Sequence, residues 1–518
     1  MSEIRPASAP APAAGRLAPC VMVLGVSSGA GKSWLATALC RHWARQGLKV
    51  APFKAQNMSN NARVVATAEG GMGEIGSAQY FQALAARAVP DVRMNPLLLK
   101  PEADTRSQAV LLGRVSAQLT ALPWRERGAH VWPHIAAALD ELRAENDLVV
   151  IEGAGSPAEI NLMATDIVNL RVARHSRAAC LLVADIDRGG AFAHLYGTWA
   201  LLPEADRALL RGFVLNKFRG DERLLAPAPE QLAQLTGVPT LATIPMHWQH
   251  GLPEEDGVFD DRPHPGSGND GAPPLTVAVI AWPRLSNLDE FQPLKNIPGL
   301  RLVWARSPAE LAEADWIVLP GSKSTLADLA WLRQQQLEPA IAGHAAAGRR
   351  VLGICGGLQM LGEQLTDPHG HESPGGGQAP GLGLLPLVTT FAAEKTVRRT
   401  RLHFGGAGGQ PLIGAWAALQ GVQAGGYEIH TGQTSPAAPP PGQAAGDVRT
   451  VIPRLAWQNA AGNVLGLYAH GLFEDPATLR ALFGAHARPL DAVFDTLADH
   501  IAARFAPGSL NALLQPRP

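Results

Sequence analysis

The stretch GVSSGAGKSW, residues 25–34, is a glycine-rich turn between an apolar run and an amphipathic segment. The common phosphate loop, G-x-x-x-x-G-K-[ST], has a glycine six residues before its lysine. Here the glycine is Gly25, one position further from Lys32. Strand, loop, Gly-Lys-Ser and helix nevertheless follow in the required order, which favours a variant phosphate loop over an ordinary Gly/Ser turn. The stretch therefore predicts an α/β domain that binds a nucleotide.

The chemistry of such a loop assigns roles to its residues. Backbone N–H groups and the N-terminus of the following helix bind phosphate oxygens. Lys32 is expected to neutralise the β and γ oxygens, and the Ser33 hydroxyl to bind Mg²⁺. The predicted cofactors are therefore ATP and Mg²⁺. The predicted nucleotide-binding residues are Gly25, Ser28, Gly29, Gly31, Lys32, Ser33 and, at a later strand end suited to reading an adenine edge, Asn216.

Apolar runs and amphipathic segments alternate through most of the chain. The runs are nearly continuous, as strands buried on both faces of a parallel sheet require. The alternation stops near residue 250 and restarts at residue 274, which predicts two doubly wound α/β domains. The predicted strands are residues 20–26, 49–54, 147–153, 179–186 and 211–217, then 275–282, 300–305, 314–321 and 349–357.

Proline-rich and glycine-rich segments mark the boundaries. The acidic segment between the two alternating regions is typical of a linker, and residues 434–447 predict a surface insertion. The N-terminal residues have no apolar core and are interpreted as a flexible tail rather than a signal peptide. The predicted division is a tail at 1–18, an ATP-binding phosphate-loop domain at 19–250, a linker at 251–273 and a second domain at 274–518.

Length, charge and cysteine content limit the class of protein. The 518 residues exceed the roughly 250–300 at which a single core stops growing. A net charge of −1 gives no electrostatic basis for binding nucleic acid or an anionic membrane. Four widely spaced cysteines favour neither a zinc site nor a disulfide framework, and no apolar run is long enough to span a bilayer. We expect a cytoplasmic protein that binds small molecules.

Polar residues follow several predicted strands of the first domain, where a parallel sheet forms its ligand crevice. Lys54, Gln56 and Asn57 are expected to bind a substrate carboxylate or an acyl phosphate. Glu152 ends an apolar strand, as does the acid that holds Mg²⁺ in phosphate-loop enzymes. An uncompensated carboxylate would be costly there, so metal binding is the preferred interpretation.

The stretch VLGICGGLQMLG, residues 351–362, predicts a cysteine nucleophile in the second domain. Glycines on both sides of Cys355 allow a sharp strand-to-helix turn, the geometry of a nucleophile elbow. Its oxyanion hole is predicted from the N–H groups of Gly356 and of the LPGSKST turn near Gly321 and Ser322. A cysteine nucleophile needs a base, and His470 follows a later apolar strand.

This pairing resembles the class I glutamine amidotransferases, in which the cysteine attacks the glutamine amide and the histidine moves the proton. Those enzymes carry the sequence His-x-Glu, whereas this chain has Leu472 at the third position. Either Cys355 and His470 act as a dyad, with low resting glutaminase activity that rises when ATP and substrate bind, or another acid assists. The candidates for that acid are Glu428, Glu474 and Asp475.

Motifs along nearly the whole chain extend the resemblance. The phosphate loop is similar to that of the dethiobiotin synthetase superfamily. The segments FKAQNMSNNA, MNPLLLKP, EGAGSPAEINL, DIDRGGAFA, NKFRGD, PGSKST, GICGGLQMLG, GYEIHTG and HGLFE occur in the order of the cobyric acid synthase family. Each motif is moderately specific, and the ordered set is highly specific. One departure is Ser77, where a larger basic residue is expected.

The resemblance implies ATP- and glutamine-dependent amidation of the b, d, e and g carboxylates of adenosylcobyrinic acid a,c-diamide, a corrin of cobalamin biosynthesis. Its small-molecule partners would then be that corrin polycarboxylate, glutamine and ATP. Two alternatives stay open from the residues: a related amidoligase on another polycarboxylate, such as cobyrinic acid a,c-diamide synthase, and a non-enzymatic phosphate-loop ATPase switch. The cysteine elbow with its downstream histidine counts against the switch.

Overall fold

The computed structural model describes residues 17–67, 69–103, 105–248, 250–253, 274–372, 376–438, 447–484 and 488–515. The predicted tail at 1–18 and linker at 251–273 lie almost entirely outside the described residues. Most of the predicted insertion at 434–447 lies outside them as well. Its first residues, 434–436, are an exception, because they continue a long strand.

The first sheet has six strands, all parallel, and it confirms the predicted doubly wound α/β fold. Five of the six were predicted from apolar runs, and the sixth, Thr240–Pro245, was not. In spatial order the strands are Thr240–Pro245, Leu210–Phe218, Ala179–Asp185, Cys20–Gly25, Leu148–Glu152 and Val50–Phe53.

Both faces of this sheet are covered, which explains why its strands are mostly apolar on both faces and carry polar residues mainly at their ends. Along strand Cys20–Gly25, Met22 and Leu24 belong to one core, and Val21 and Val23 to the core on the opposite face. A parallel sheet requires this arrangement because its crossover helices pack on both sides. The strand order therefore brings the carboxyl ends of these strands, with their polar residues, to one edge.

The second sheet has seven strands, of which five are parallel and two form an antiparallel edge. The parallel part confirms the second predicted α/β domain, and the antiparallel edge was not predicted. In spatial order the strands are Leu300–Ala305, Leu275–Ile280, Trp316–Leu319, Arg350–Ile354, Val464–Leu467, Ala456–Asn459 and Val448–Ile452.

Sheets with fewer strands accompany these two. One four-stranded sheet consists of Gly377–Pro380, Gln364–Asp367, Leu387–His403 and Gln423–Pro436. The other consists of Gln56–Met58, Leu97–Ala103, Arg106–Leu111 and Arg114–Val115. The two-stranded sheets pair Ala62–Ala66 with Met72–Gly76, and Leu285–Ser286 with Gly321–Ser322.

Helices cover the sheets and fill the connections. The α-helices are Lys32–Arg45, Ser77–Ala85, Ala117–Ala121, Trp124–Glu145, Leu170–Ser176, Ala191–Leu201, Glu204–Arg207, Ala228–Thr236, Gln292–Lys295, Pro308–Leu311, Thr325–Gln334, Leu337–Ala346, Gly356–Leu361, Pro476–Phe483, Leu490–Ala502 and Ser509–Ala512. The 3₁₀ turns are Val92–Met94, Met163–Thr165, Glu222–Leu225, Leu288–Phe291, Gly414–Leu419 and Leu472–Glu474. Among the described residues, no helix combines the length and the hydropathy needed to cross a membrane.

The C-terminal helices differ from the predicted division. Residues 488–515 follow the second sheet in sequence, yet Val493, Phe494 and Leu497 belong to the core of the first sheet. Arg41, buried on helix Lys32–Arg45, contacts Asp491 at 2.9 Å and Asp495 at 2.8 Å. Helix Leu490–Ala502 is amphipathic, and its sequence alone does not say which domain its apolar face will meet. Assigning all of 274–518 to the second domain is therefore wrong for these helices, and the other boundaries stay predictions.

Candidate active site

Cys355 lies between strand Arg350–Ile354 and helix Gly356–Leu361, at the carboxyl edge of the second sheet. Its backbone has φ of 52° and ψ of −105°, a conformation that residues other than glycine rarely adopt. Such strain persists only where the surroundings impose it, and it is concentrated at functional sites. The observed geometry is that of the predicted elbow.

The glycines beside Cys355 let the elbow close onto a neighbouring turn. A Cβ on Gly357 would lie 1.9 Å from the Leu319 carbonyl oxygen, and one on Gly356 would lie 2.8 Å from the Ser322 nitrogen. The Gly357 N–H donates to the Pro320 carbonyl at 3.0 Å. The Gly321–Ser322 turn and Gly356 are thus in close contact, as the predicted oxyanion hole requires. The assignment of Gly321 and Gly356 to that role stays a prediction.

His470 is buried after strand Val464–Leu467 and interacts with the thiol of Cys355. Its Nδ1 lies 3.0 Å from Oε1 of Glu290, and the Gly471 N–H donates to Oε2 of the same carboxylate, also at 3.0 Å. With Nδ1 occupied by Glu290, Nε2 is the nitrogen left for the thiol. The Tyr427 ring stacks on the imidazole, with 5.4 Å between ring centroids. Cysteine, histidine and glutamate therefore form a triad.

The electrostatics of His470 follow from these contacts. Burial lowers the pKa of an imidazole, but the Glu290 carboxylate and Cys355 outweigh that effect and raise the pKa of His470 to about 10. An imidazole with this pKa holds its proton at neutral pH. It is therefore charged beside the thiol that it is expected to serve.

Glu290 corrects the expectation that the third acid is missing. None of the three acids considered from the sequence supports His470. Glu428 binds Arg398 and His430, Glu474 binds Arg63, and Asp475 caps helix Pro476–Phe483. The idea of an unsupported dyad is wrong, and with it the reason for expecting low resting glutaminase activity.

The sequence carried only a weak signal for Glu290. The segment NLDEF, residues 287–291, places two acids between leucine and phenylalanine, and Asp289, Glu290 and Phe291 are all buried. Buried carboxylates are rare unless they are paired, so two acids between large apolar residues indicate a carboxylate with a specific partner. Glu290 precedes His470 by 180 residues, and no spacing rule connects them.

A pocket of about 70 Å³ lies at Cys355 and is lined by both halves of the chain. The second domain contributes Lys323, Glu372 and His430 among others. The residues contributed from before position 250 are Asn60, Lys100 and Gln108. The thiol therefore faces a space that the first domain helps to enclose.

The phosphate loop takes the form that its sequence predicted. Gly31, with φ of 95°, caps helix Lys32–Arg45, whose first turn has no acidic residue. Nζ of Lys32 donates to the carbonyls of Ser27 at 3.0 Å and Gly155 at 3.2 Å. A Cβ on Gly25 would lie 3.0 Å from that Nζ, so the glycine gives the lysine room. The helix N-terminus and a cation thus meet at one place, which favours a phosphate group.

Glu152 is buried at the end of its strand and has three polar partners. Its Oε1 accepts from Ser33 Oγ and from Lys54 Nζ, both at 2.8 Å, and its Oε2 accepts from Gln82 Nε2 at 2.6 Å. Burial raises the pKa of a carboxyl, but the Lys54 ammonium and the hydrogen bonds more than offset this, and the pKa of Glu152 is lowered. Ser33, Lys54 and Glu152, predicted separately, are therefore in direct contact.

Different contacts are made by the other predicted residues, Asn216, Asn57 and Ser28, and by Lys217, which follows Asn216. Asn216 donates to the Ala30 carbonyl at 3.0 Å and so supports the loop, and its predicted contact with adenine stays a prediction. Lys217 Nζ donates to the Gly29 carbonyl at 2.8 Å. Asn57, on strand Gln56–Met58, donates to Gln79 of helix Ser77–Ala85 at 3.2 Å. Ser28 is exposed on the loop.

The chain is similar to known proteins along nearly its whole length. Residues 21–255 match the family described as the CobQ/CobB/MinD/ParA nucleotide binding domain, and residues 276–478 match the CobB/CobQ-like glutamine amidotransferase domain. The cobyric acid synthases of Paracidovorax citrulli and Variovorax paradoxus are each 72% identical to this chain. The alignments cover 95% of this chain and 98% of the first relative, and 96% and 99% for the second. A solved glutamine amidotransferase aligns with 40% of this chain and 99% of its own at 18% identity, with a TM-score of 0.29.

Replacing Glu290 tests its support of His470. Glu290→Gln should lower the kcat of glutamate release from glutamine by about 10²- to 10⁴-fold, since altering the acid of a serine triad costs roughly 10⁴. Asp475→Asn is the matched control, because asparagine still caps a helix and the Asp475 side chain accepts its hydrogen bonds from the amides of Gly425, Ala477 and Thr478. Equal rates for Glu290→Gln and the wild type would remove Glu290 from the triad.

The raised pKa of His470 also predicts a pH-dependent stability. A base whose folded pKa lies above its ordinary value of 6.5 stabilises the fold fully below that value, and the contribution is lost as pH rises to about 10. The melting temperatures of the wild type and Glu290→Gln should therefore differ most near pH 6 and converge towards pH 10. A constant difference across that range, measured by calorimetry, would contradict the charged pair.

Proposed function

The chain belongs to the cobyric acid synthase family, and we propose that it amidates the b, d, e and g carboxylates of adenosylcobyrinic acid a,c-diamide to give adenosylcobyric acid. ATP and glutamine are the co-substrates. The observation that carries the proposal is that a phosphate loop and a Cys355–His470–Glu290 triad occur in the same chain. Residues of both domains line the pocket around the Cys355 thiol. The a,c-diamide synthase reaction and the ATPase switch have no comparable support.

The synthetase reaction begins with activation of a carboxylate. A carboxylate oxygen attacks the γ-phosphorus of ATP, the bond to ADP breaks, and an acyl phosphate forms. Lys32 and the N–H groups of the loop stabilise the charge that develops on the transferred phosphoryl group. Lys54 is the cation suited to hold the substrate carboxylate or its acyl phosphate, with Gln56 and Asn57 as neighbouring amides.

Mg²⁺ is the metal that the donor set fits. The Ser33 hydroxyl and the Glu152 carboxylate are hard oxygen donors, and their oxygens lie 2.8 Å apart. The ion would take its other ligands from phosphate and water. When bound, the ion would neutralise phosphate charge. Lys54, which shares Glu152 Oε1 with Ser33, balances that carboxylate.

The glutaminase half supplies the nitrogen. The Cys355 thiolate attacks the side-chain amide of glutamine, and His470 gives a proton to the departing ammonia, leaving a thioester that water hydrolyses to glutamate. Glu290 holds the imidazole with Nε2 towards the thiol. The amides of Gly356 and Gly321, with Ser322 beside them, are the proposed donors to the tetrahedral oxyanion.

Ammonia then has to reach the acyl phosphate as the free base, because ammonium is not a nucleophile. Its nitrogen attacks the acyl carbon, phosphate leaves, and an amide remains. Asn60, Lys100 and Gln108 close the pocket around Cys355 from the first domain, which supports transfer within the molecule.

A reducing, cytoplasmic location is part of the proposal. Cys20, Cys40, Cys180 and Cys355 are all free thiols, and the nucleophile has to stay reduced to act. Nucleic acid and membranes are not among the proposed partners, since the net charge is −1.

Mass spectrometry of cobyrinic acid a,c-diamide incubated with the protein, ATP, Mg²⁺ and glutamine tests the proposal directly. Four successive amidations are expected. Cys355→Ser should abolish them with glutamine and retain them at high ammonium, because the synthetase site is separate. A folded Cys355→Ser protein that also fails with ammonium would refute the division into two sites.

Lys32→Ala tests the phosphate loop. Amidation should be lost with glutamine and with ammonium alike, because no acyl phosphate forms without stabilisation of the γ-phosphoryl group. Basal release of glutamate should persist. Near-normal synthesis from ammonium, followed by mass spectrometry, would exclude the assigned role of Lys32.

A further inference from the structure

The segment that carries Glu290 is held by residues that come from before position 250. The Leu288 N–H donates to Oδ1 of Asn61 at 2.9 Å, and the Ala62 N–H donates to Oδ1 of Asn287 at 3.0 Å. Asn287 has φ of 56°, a left-handed conformation that asparagine tolerates better than most residues. Each asparagine side chain therefore accepts a hydrogen bond from the other chain segment, at positions two and three residues before Glu290.

Arg63 continues this contact with charge. Its guanidinium is buried and pairs with Asp289, the residue next to Glu290, and it donates to Glu474 at 2.8 Å. A guanidinium is planar and offers several donors in a fixed fork, so it fixes the direction of a carboxylate more firmly than an ammonium does. Removing it would leave the Asp289 carboxylate buried without its cation.

Arg63 also touches the ring that lies on the catalytic imidazole. Its guanidinium carbon is 5.1 Å from the centroid of Tyr427, whose other contacts include the stacked His470 ring. Phe81 and Tyr80 lie at 4.9 Å and 5.6 Å from the same carbon and complete its aromatic surroundings. The arginine thus supports His470 by two routes, through the Asp289–Glu290 segment and through Tyr427.

We propose that Arg63 is a positioning residue for the glutaminase reaction, supplied from the synthetase half of the chain. It holds Asp289 in place and thereby keeps the neighbouring Glu290 at hydrogen-bonding distance from His470. The inference rests on the glutaminase function proposed for Cys355 and His470. Arg63 does not line the pocket around Cys355, so it acts on the direction of the base and leaves the binding of glutamine unchanged.

Steady-state glutaminase kinetics of full-length Arg63→Met test the proposal. The kcat should fall about 10- to 100-fold, the usual effect of losing a group that orients a functional side chain, while the KM for glutamine stays within twofold. Ammonium-dependent amidation should keep its wild-type rate. Arg63→Lys retains the charge without the fork and should recover part of the lost kcat.

Arg399→Met is the matched control. Arg399 is also an arginine that bonds to strand Ala62–Ala66, donating to the Val64 carbonyl at 3.3 Å, but within the part of the chain that the structure describes it makes no hydrogen bond or ion pair with residues 287–290. Its glutaminase kcat should equal that of the wild type. A similar loss in both variants would mean that the interface as a whole matters and would overturn the specific role of Arg63.

Asp289→Asn keeps the proposal falsifiable if Arg63→Met does not fold. It removes the charge of the partner at constant size, and a kcat-specific loss is expected again. Where both variants fold, the double variant should lose no more than the worse single one, and an additive loss would contradict a shared route. Failure of the proposed function and failure of this inference give different results. If the proposed function is wrong, glutamate release survives in Cys355→Ser. If only the role of Arg63 is wrong, Cys355→Ser is inactive and Arg63→Met is fully active.

Discussion

The contact between Glu290 and His470 is the constraint on which the rest of the glutaminase site depends. Both side chains are buried, and a buried carboxylate is tolerated only when it is paired and hydrogen-bonded. The Glu290 carboxylate is paired with both the imidazole Nδ1 of His470 and the backbone amide of Gly471. The same contact fixes which imidazole nitrogen faces Cys355, so the pairing that makes burial possible also sets the chemistry.

The cluster around Glu152 solves the same physical problem with different partners. Here a lysine, a serine and a glutamine satisfy the buried carboxylate, and each comes from a different element of the first domain. The cluster joins the predicted metal position to the predicted substrate lysine. Charge at one position is therefore coupled to charge at the other, as a reaction that moves a phosphoryl group onto a carboxylate requires.

The two domains are connected in ways that their order in the sequence does not suggest. Arg63 and Asn61 contact the segment that carries Glu290, through Asp289 and Leu288, while helix Leu490–Ala502, from the far end of the chain, packs on helix Lys32–Arg45. Neither contact is local in sequence. Two contacts between segments far apart in sequence therefore connect the domains, and the pocket around Cys355 is complete only when both domains are folded together.

The sequence by itself determined the fold class, the phosphate loop and the cysteine elbow, because each depends on local rules. Apolar runs give buried strands, Gly-Lys-Ser after a strand gives a loop and a helix N-terminus, and the glycines beside Cys355 let the elbow pack closely against the neighbouring backbone. Only the tertiary structure decided the third member of the triad. Glu290 and His470 are far apart in the chain, and a position next to a base is set by how two segments pack. The same holds for the C-terminal helices, whose apolar faces could have met either sheet until the complete chain had folded.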